Sequence, residues 1–317
     1  MKRPSKRFLD KFKADIKSDS VFRANTRLLQ SIWREEKFKD KIGRHTARCL
    51  GSLLPKEIAV GKQANFLTKG IYETVVEEIR SKKGTGAVIT EPRIWINLLS
   101  SQPLSFNLFG ELKTEKHKDL ATKLFRGLFP GLVKQVQDIK FEYSPGRDNK
   151  RYLGDGTAFD VFVEFTANDE GNGFVGIEVK YSEGVNKGVE GKGRYTEVAQ
   201  NSRIFKEEHL RGLLSSNIRQ IWRDHLLALS MLLVDDDTYQ HGFFTFLYPK
   251  DNSQWSNAVR RYSKMFRVDD ERCSKFYPIT LECVVSVLKQ NSDAKWIEEF
   301  ENRYLNFRKI EELDRVE

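Results

Sequence analysis

The chain has 317 residues, 39% of them hydrophobic and 31% charged, enough to bury a sizeable core in one large domain or two. No run of about 18 apolar residues occurs, which excludes a membrane-spanning helix, and no apolar segment of the secretory kind follows the basic start MKRPSKRF. Three cysteines (Cys49, Cys273, Cys283), odd in number and without CxxC spacing, point to reduced thiols, a cytoplasmic setting and no structural zinc.

The formal charge of +9 is unevenly placed. Residues 1–48 carry 15 Lys and Arg against 6 Asp and Glu, which accounts for the whole surplus; the remainder balances. A basic segment of this kind suits a polyanion such as DNA, because each neutralised phosphate releases counterions. Phe8, Phe12, Phe22, Leu28, Leu29, Ile32 and Trp33 lie in the same segment, so packed helices are expected there rather than a loose tail.

In chain order, residues 20–41 and 45–52 read as helices. Ile71, Val75, Val76 and Ile79 repeat at helical spacing and stop at residues 82–86. Residues 91–112 read as a helix in two pieces broken at Pro103, and 120–129 as another helix ended by Pro130-Gly131. From Val133 the period changes to two, predicting a strand over VKQVQDIKFEYS, and SPGRDNKRYLGDGTAF reads as a loop. Residues 159–165 and 174–181 alternate around a polar turn, the pattern of a hairpin. A glycine-rich basic segment follows, then a long helix over 204–233, interrupted near His209 or Ser215-Ser216. The acidic run Asp235-Asp236-Asp237 starts a loop. A buried strand (241–249), a helix (255–266), a last strand (FYPITLECVVSVL) and a helix over 293–313 complete the chain. These elements divide it into a basic helical region, residues 1–90, and an α/β domain, residues 91–317.

The hairpin carries the chemistry. Phe159, Val161, Val163 and Phe165 share one face, and Asp160, Phe162 and Glu164 the other. On the second strand Glu178 and Lys180 share a face, with Val175, Ile177, Val179 and Tyr181 opposite. Antiparallel pairing through the turn brings Asp160 beside Glu178 and Lys180. Two carboxylates of this kind suit a Mg²⁺ ion, for which Mn²⁺ can substitute, and the lysine can orient or deprotonate an attacking water. The alternative on the hairpin alone is a solvent-facing edge with a Glu178–Lys180 ion pair.

With Asp160 opening the second of three strands, E-x-K in the third, and a helix and strand after it, the order resembles the PD-(D/E)XK nuclease superfamily. The match falls on Asp160, Glu178 and Lys180, the two acids 18 residues apart. SSQPLSFNLFG, FEYSPGR, YLGDGTAFDVFVE, GIEVKYSE and IRQIWRDHLLA resemble a group of prokaryotic restriction endonucleases within it, over most of the chain from about residue 45. Phe159 stands where the family name has proline. The resemblance implies a restriction-endonuclease-like core, αβββαβ, a mixed central sheet flanked by helices with a helical N-terminal extension. It also implies a metal-dependent DNA endonuclease of restriction or phage defence, acting on double-stranded DNA, with a homodimer or a partner defence protein possible. An inactive DNA-binding or assembly module, or a repair, transposition or RNA nuclease on the same fold, are the alternatives. By the same resemblance Asp160 and Glu178 are metal ligands, Lys180 is the catalytic lysine and Gln220 a helix-borne catalytic residue. Either Glu111 or Glu142 supplies an extra carboxylate. Arg147, Lys150 and Arg151 before the hairpin, and Lys187, Lys192 and Arg194 after it, are candidate phosphate contacts. Asp155 is read as a turn residue and a reserve metal ligand. His225, at helical spacing from Ile218, Ile221, Trp222 and Leu229, is read as a core histidine. No P-loop spacing occurs.

Overall fold

Alternating apolar residues drive five strands into one sheet, seen in a computed structural model that describes residues 1–39, 41–46, 48–60, 63–185, 194–213, 218–234, 238–267 and 270–315. A two-stranded hairpin, β1 (Gly43–His45) and β2 (Arg48–Leu50), precedes it. The main sheet contains β3 (Val133–Tyr143), β4 (Phe159–Ala167), β5 (Asn172–Val179), β6 (His241–Tyr248) and β7 (Phe276–Thr280), in that spatial order. The pairs β3–β4 and β4–β5 are antiparallel, and β5–β6 and β6–β7 parallel. This is the mixed α/β sheet expected of the core.

Each face of the sheet supports its own core. Val161, Val163, Phe165, Val175, Ile177 and Val179 meet residues of the helices Lys69–Ser81, Ser101–Phe109, Lys118–Leu128, Leu281–Asn291 and Lys295–Tyr304. That cluster also contains Trp33 and Leu54, so one core includes residues from both sides of position 90. On the other face Phe162, Phe174, Phe244, Phe246 and Phe276 pack against the helices Tyr195–Ser202, Arg219–Leu232 and Ser253–Ser263. Apolar residues on both faces are what parallel crossovers require, since their helices must cover the sheet.

The basic N-terminal region is folded. Helix Val21–Phe38 is capped by Ser20, whose hydroxyl accepts the Arg23 N–H at 3.2 Å. Phe8, Leu9, Leu28, Leu29 and Ile32 form a third small cluster with Ile310. Gln30 reaches from this helix into the core, donating to Tyr181 Oη at 3.0 Å and to the Arg303 carbonyl at 2.8 Å.

Several elements differ from the sequence expectation. Residues 45–52, read as a helix, form the β1–β2 hairpin. Thr46 takes a φ of +54° at its turn, and Gly51 N–H donates to the Lys13 carbonyl at 2.9 Å, a long-range tie. The 91–112 helix divides into Arg93–Ile96 and Ser101–Phe109 at residues 97–100, not at Pro103. Pro103 sits in the first helical turn, where its missing N–H costs nothing. The last strand stops at Thr280, whose hydroxyl caps helix Leu281–Asn291. Its apolar Leu281, Val284, Val285 and Leu288 have helical spacing hidden inside a continuous apolar run. The 204–233 helix is divided into Glu207–Leu213 and Arg219–Leu232, and the 293–313 helix into Lys295–Tyr304 and Arg308–Arg315. Phe159 leaves the face assigned to it and joins Phe162, its ring lying over Gly176. A Cβ at Gly176 would stand 2.4 Å from Phe159 Cε1. Gly176→Ala is therefore expected to destabilise the fold by about 1–3 kcal/mol, as overpacking in a core does, measured by chemical denaturation; unchanged stability would show that Phe159 can move aside freely.

Candidate active site

Strand register builds the site. The pairs Phe141↔Val161 and Tyr143↔Phe159 bracket Glu142 and Asp160 across β3 and β4. The pair Val161↔Ile177, extended by one residue, sets Asp160 opposite Glu178 of β5. Three carboxylates therefore form a row across the ends of three neighbouring strands. The ladder between β4 and β5 ends at Val161, and Asp160 Oδ2 takes the next N–H, accepting from Val179 at 2.8 Å.

Lys180 continues the row beyond β5. Its backbone N–H donates to the Leu247 carbonyl at 2.8 Å, which keeps the residue in the sheet direction of β6. Its ammonium lies 2.5 Å from Glu178 Oε1, and both residues are buried. Gln220, near the start of helix Arg219–Leu232, donates its amide to the same Glu178 oxygen at 2.6 Å. Glu178 Oε1 is thus gripped from both sides, which fixes the carboxylate plane. Glu183 holds the neighbouring backbone: its two oxygens accept the N–H groups of Ser101 and Tyr181, each at 2.9 Å. The first of these is an orphan N–H at a helix N-terminus, a favourable place for a carboxylate.

Glu142 has an unusual backbone. Its φ of +47° is left-handed, a conformation that costs a non-glycine residue on the order of 1–2 kcal/mol. The twist lets Phe141 stack on Phe106 at 4.1 Å on one face while Tyr143 stacks on Phe162 at 4.0 Å on the other. Glu142 Oε1 accepts from Gln102 Nε2 at 2.6 Å.

Burial and like charge perturb these groups. Asp160 is pushed well above the usual carboxylate range, first by burial and then by the Glu178 and Glu142 charges. Glu142 is pushed up to about 7, mainly by burial, with Gln102 opposing. Burial alone would lower the Lys180 ammonium, but Glu178 and Asp160 hold it above its ordinary value, so it is a cation.

The two candidates for an extra carboxylate are placed differently. Glu111 accepts the Thr68 hydroxyl and lies 3.3 Å from His117 Nδ1, while Glu142 shares the electrostatic field of Asp160. Asp155 is occupied by the Thr157 N–H at 2.9 Å and the Tyr195 hydroxyl at 2.5 Å, so it stands as a loop clamp rather than in the carboxylate row. His225 is fully buried beside Tyr262, 2.9 Å from its hydroxyl, and burial pushes it down to about 3. Arg147 donates to the Gly156 carbonyl, Lys150 is exposed, and Arg151 lines an open cavity of about 660 Å³ with Arg194 and Arg203. Arg194 braces the Lys150 carbonyl and pairs with Glu197. Lys187, Lys192 and the acidic run 235–237 lie outside the described residues.

Two neighbours of the site escaped the sequence reading. Arg223 and Asp224 follow Gln220 at i+3 and i+4, the same helix face, and Arg223 Nε lies 3.2 Å from Asp224 Oδ1. Asp224 is fully buried and pushed up to about 7 by that burial. Their helical spacing from Gln220 was the available signal. Gln102, which holds Glu142, gave none.

The donor set suits a hard cation. Asp160 and Glu178 are oxygen donors, and a cation between them would favour the ionised form of Asp160, which burial and the neighbouring carboxylates oppose. Among the described residues no three His, Cys, Asp or Glu side chains converge on one metal position. An ion held by two carboxylates completes its shell with water or phosphate oxygens, the usual habit of Mg²⁺.

A family model described as the PD-(D/E)XK nuclease superfamily matches residues 17–306. No curated protein and no solved structure gives a match. No described helix is long and apolar enough to cross a membrane.

The perturbed Glu142 sets a pH dependence. Its folded value near 7 exceeds its ordinary 4.5, so the folded state binds this proton more tightly. The stability it contributes is complete below pH 4.5 and is lost as pH rises to about 7. Glu142→Gln is expected to remove this component. In metal-free buffer its stability relative to wild type should rise between pH 5 and 7 and then level; denaturation curves with a constant difference across that window would contradict the assignment.

Proposed function

The chain belongs to the PD-(D/E)XK nuclease superfamily, and on that premise we propose that it is a Mg²⁺-dependent DNA endonuclease of restriction or phage defence. Superfamily members are nucleases that typically use divalent metals, so hydrolysis of a nucleic acid is the general expectation. The observation that carries the finer proposal is the junction of Asp160, Glu178, Lys180 and Gln220 at the adjoining ends of β4 and β5.

Asp160 and Glu178 would hold the cation, with Glu142 as the third carboxylate beside them. When bound, such an ion lowers the pKa of a coordinated water and offsets charge on the phosphoryl oxygens. The protein's own residues do the rest. Gln220 and Lys180 fix the Glu178 carboxylate from two sides. The Lys180 cation orients the attacking water and stabilises charge on the phosphate as the bond to the leaving oxygen breaks. The basic side chains Arg147, Lys150, Arg151 and Arg194, together with Lys187 and Lys192, are proposed to position the duplex through its phosphates. Two-strand cutting needs two such sites, for which a homodimer is proposed.

Cleavage of supercoiled and linear DNA with Mg²⁺ or Mn²⁺ tests this. Wild type is expected to cut, while Asp160→Ala and Lys180→Ala lose on the order of 10²–10³-fold or more in rate, the scale of removing one charge-stabilising group, and keep DNA binding. Binding without cutting by all three, across divalent ions and phage DNAs, would move the reading to an inactive DNA-binding module.

Gln220→Ala separates a positioning role from a structural one. It is expected to lower the rate at saturating DNA by about 10-fold or more through a misplaced Glu178, with Gln220→Glu failing to rescue it because a carboxylate cannot donate to Glu178. An unchanged rate in single-turnover cleavage would remove Gln220 from the site.

A further inference from the structure

The turn 82–86, Lys-Lys-Gly-Thr-Gly, follows helix Lys69–Ser81 and contributes nothing to the core. It nevertheless stands beside the carboxylate row. Gln102 Nε2 donates both to the Val88 carbonyl, at 2.8 Å, and to Glu142, at 2.6 Å. A Cβ placed on Gly86 would lie 3.2 Å from Arg147 Cδ, so the turn lies against that arginine. Gly84 and Gly86 take φ values of +83° and +78°, and no described atom lies within 4 Å of a Cβ placed on Gly84. The close approach that glycine permits there is unused by the protein's own packing.

The charges of the turn are also available. Lys83 is exposed and has no ion-pair partner among the described residues. The Lys82 ammonium lies 3.4 Å from Glu78, a carboxylate shared with Lys113 at 3.3 Å.

Arg147 supplies an independent observation. Its Nη1 donates to the Gly156 carbonyl at 2.7 Å, but its Nη2 is buried with no acceptor among the described residues, as is the Ser144 hydroxyl three residues earlier in the same S-P-G-R turn. Buried donors are rarely left unpaired, and a guanidinium fork matches phosphate oxygens.

We infer that the 82–86 turn and Arg147 form a seat for a backbone phosphate of duplex DNA on the Glu142 side of the active site. This rests on the DNA-nuclease proposal and joins to its flanking-loop Arg147 a binding element outside those loops, the 82–86 turn. A phosphate oxygen would supply the acceptor Arg147 Nη2 lacks once the guanidinium turns outward from its buried position, and Lys83, with Lys82 behind it, would reach the same phosphate from the turn. The seat fixes where the duplex lies, not which bases it carries.

The test is binding of a short fluorescein-labelled DNA duplex in EDTA, over a range of salt, in an Asp160→Asn parent that does not cut. Adding Lys82→Ala and Lys83→Ala should lower the slope of log affinity against log salt by up to about 1, since the one phosphate left unneutralised removes about 0.9. Arg147→Lys keeps the charge and loses the fork; it should weaken binding about 10-fold, the scale of losing a charge-assisted hydrogen bond, with the slope unchanged. Parent-like affinity and slope in both variants, with the parent binding the duplex, would overturn the seat and leave the nuclease proposal standing. Absence of salt-dependent binding by the parent overturns the seat as well, and cleavage by the wild-type protein then decides the nuclease proposal separately.

Discussion

The site depends on like charges held together at the end of a sheet. Antiparallel register places Glu142, Asp160 and Glu178 on three adjacent strands, and no loop rearrangement separates them without slipping a strand. A slip of one residue would turn Val161, Val163, Ile177 and Val179 out of their core, so apolar burial enforces the electrostatic conflict. Lys180 relieves part of it at 2.5 Å from Glu178. The remainder, visible in the raised Asp160 and Glu142, is a strain that a cation would remove. Stability given up at a site and regained on binding is a recurrent pattern in enzymes.

Behind β5 lies a second polar structure with a different balance. Tyr181, next to Lys180, donates its hydroxyl to the Tyr304 carbonyl and accepts from Gln30. Arg303 is fully buried among them with no carboxylate paired to it among the described residues; it donates to Gln30 Oε1 at 3.2 Å and twice to Asn65, and stacks 3.8 Å from the Trp33 ring centroid. Neutral acceptors and an aromatic face solvate this cation, a case in which hydrogen bonds and a π-face replace water. Asn107 extends the network from helix Ser101–Phe109, donating to the Tyr304 hydroxyl and the Asn65 carbonyl. The N-terminal helix, two core helices and the E-x-K strand are thereby tied to one another. The basic N-terminal region is thus part of the scaffold that holds Lys180, whatever its charge contributes outside.

The rim of the site is built on other terms. Around Arg147, Asp155 and Arg194, side chains bond mostly to loop carbonyls and to each other, and the apolar cores lie below. Such loops keep their shape through hydrogen bonds rather than burial, as surface connections do.

Much of this was legible in the chain itself. Period-two alternation places Asp160 with one face of its strand and Glu178 with Lys180, and the polar turn between the two runs makes their antiparallel meeting nearly obligatory; these are local facts. Gln220 was named by resemblance alone. What the tertiary structure alone decided was which distant groups complete the set. Glu142 and Glu111 look alike in sequence, and only a left-handed residue at the end of β3, held by Gln102 from another helix, puts one in the row while Thr68 and His117 occupy the other. The physical cause is that periodicity encodes the face a residue occupies, whereas its partner across the fold is set by how separate segments pack, and no local pattern records that.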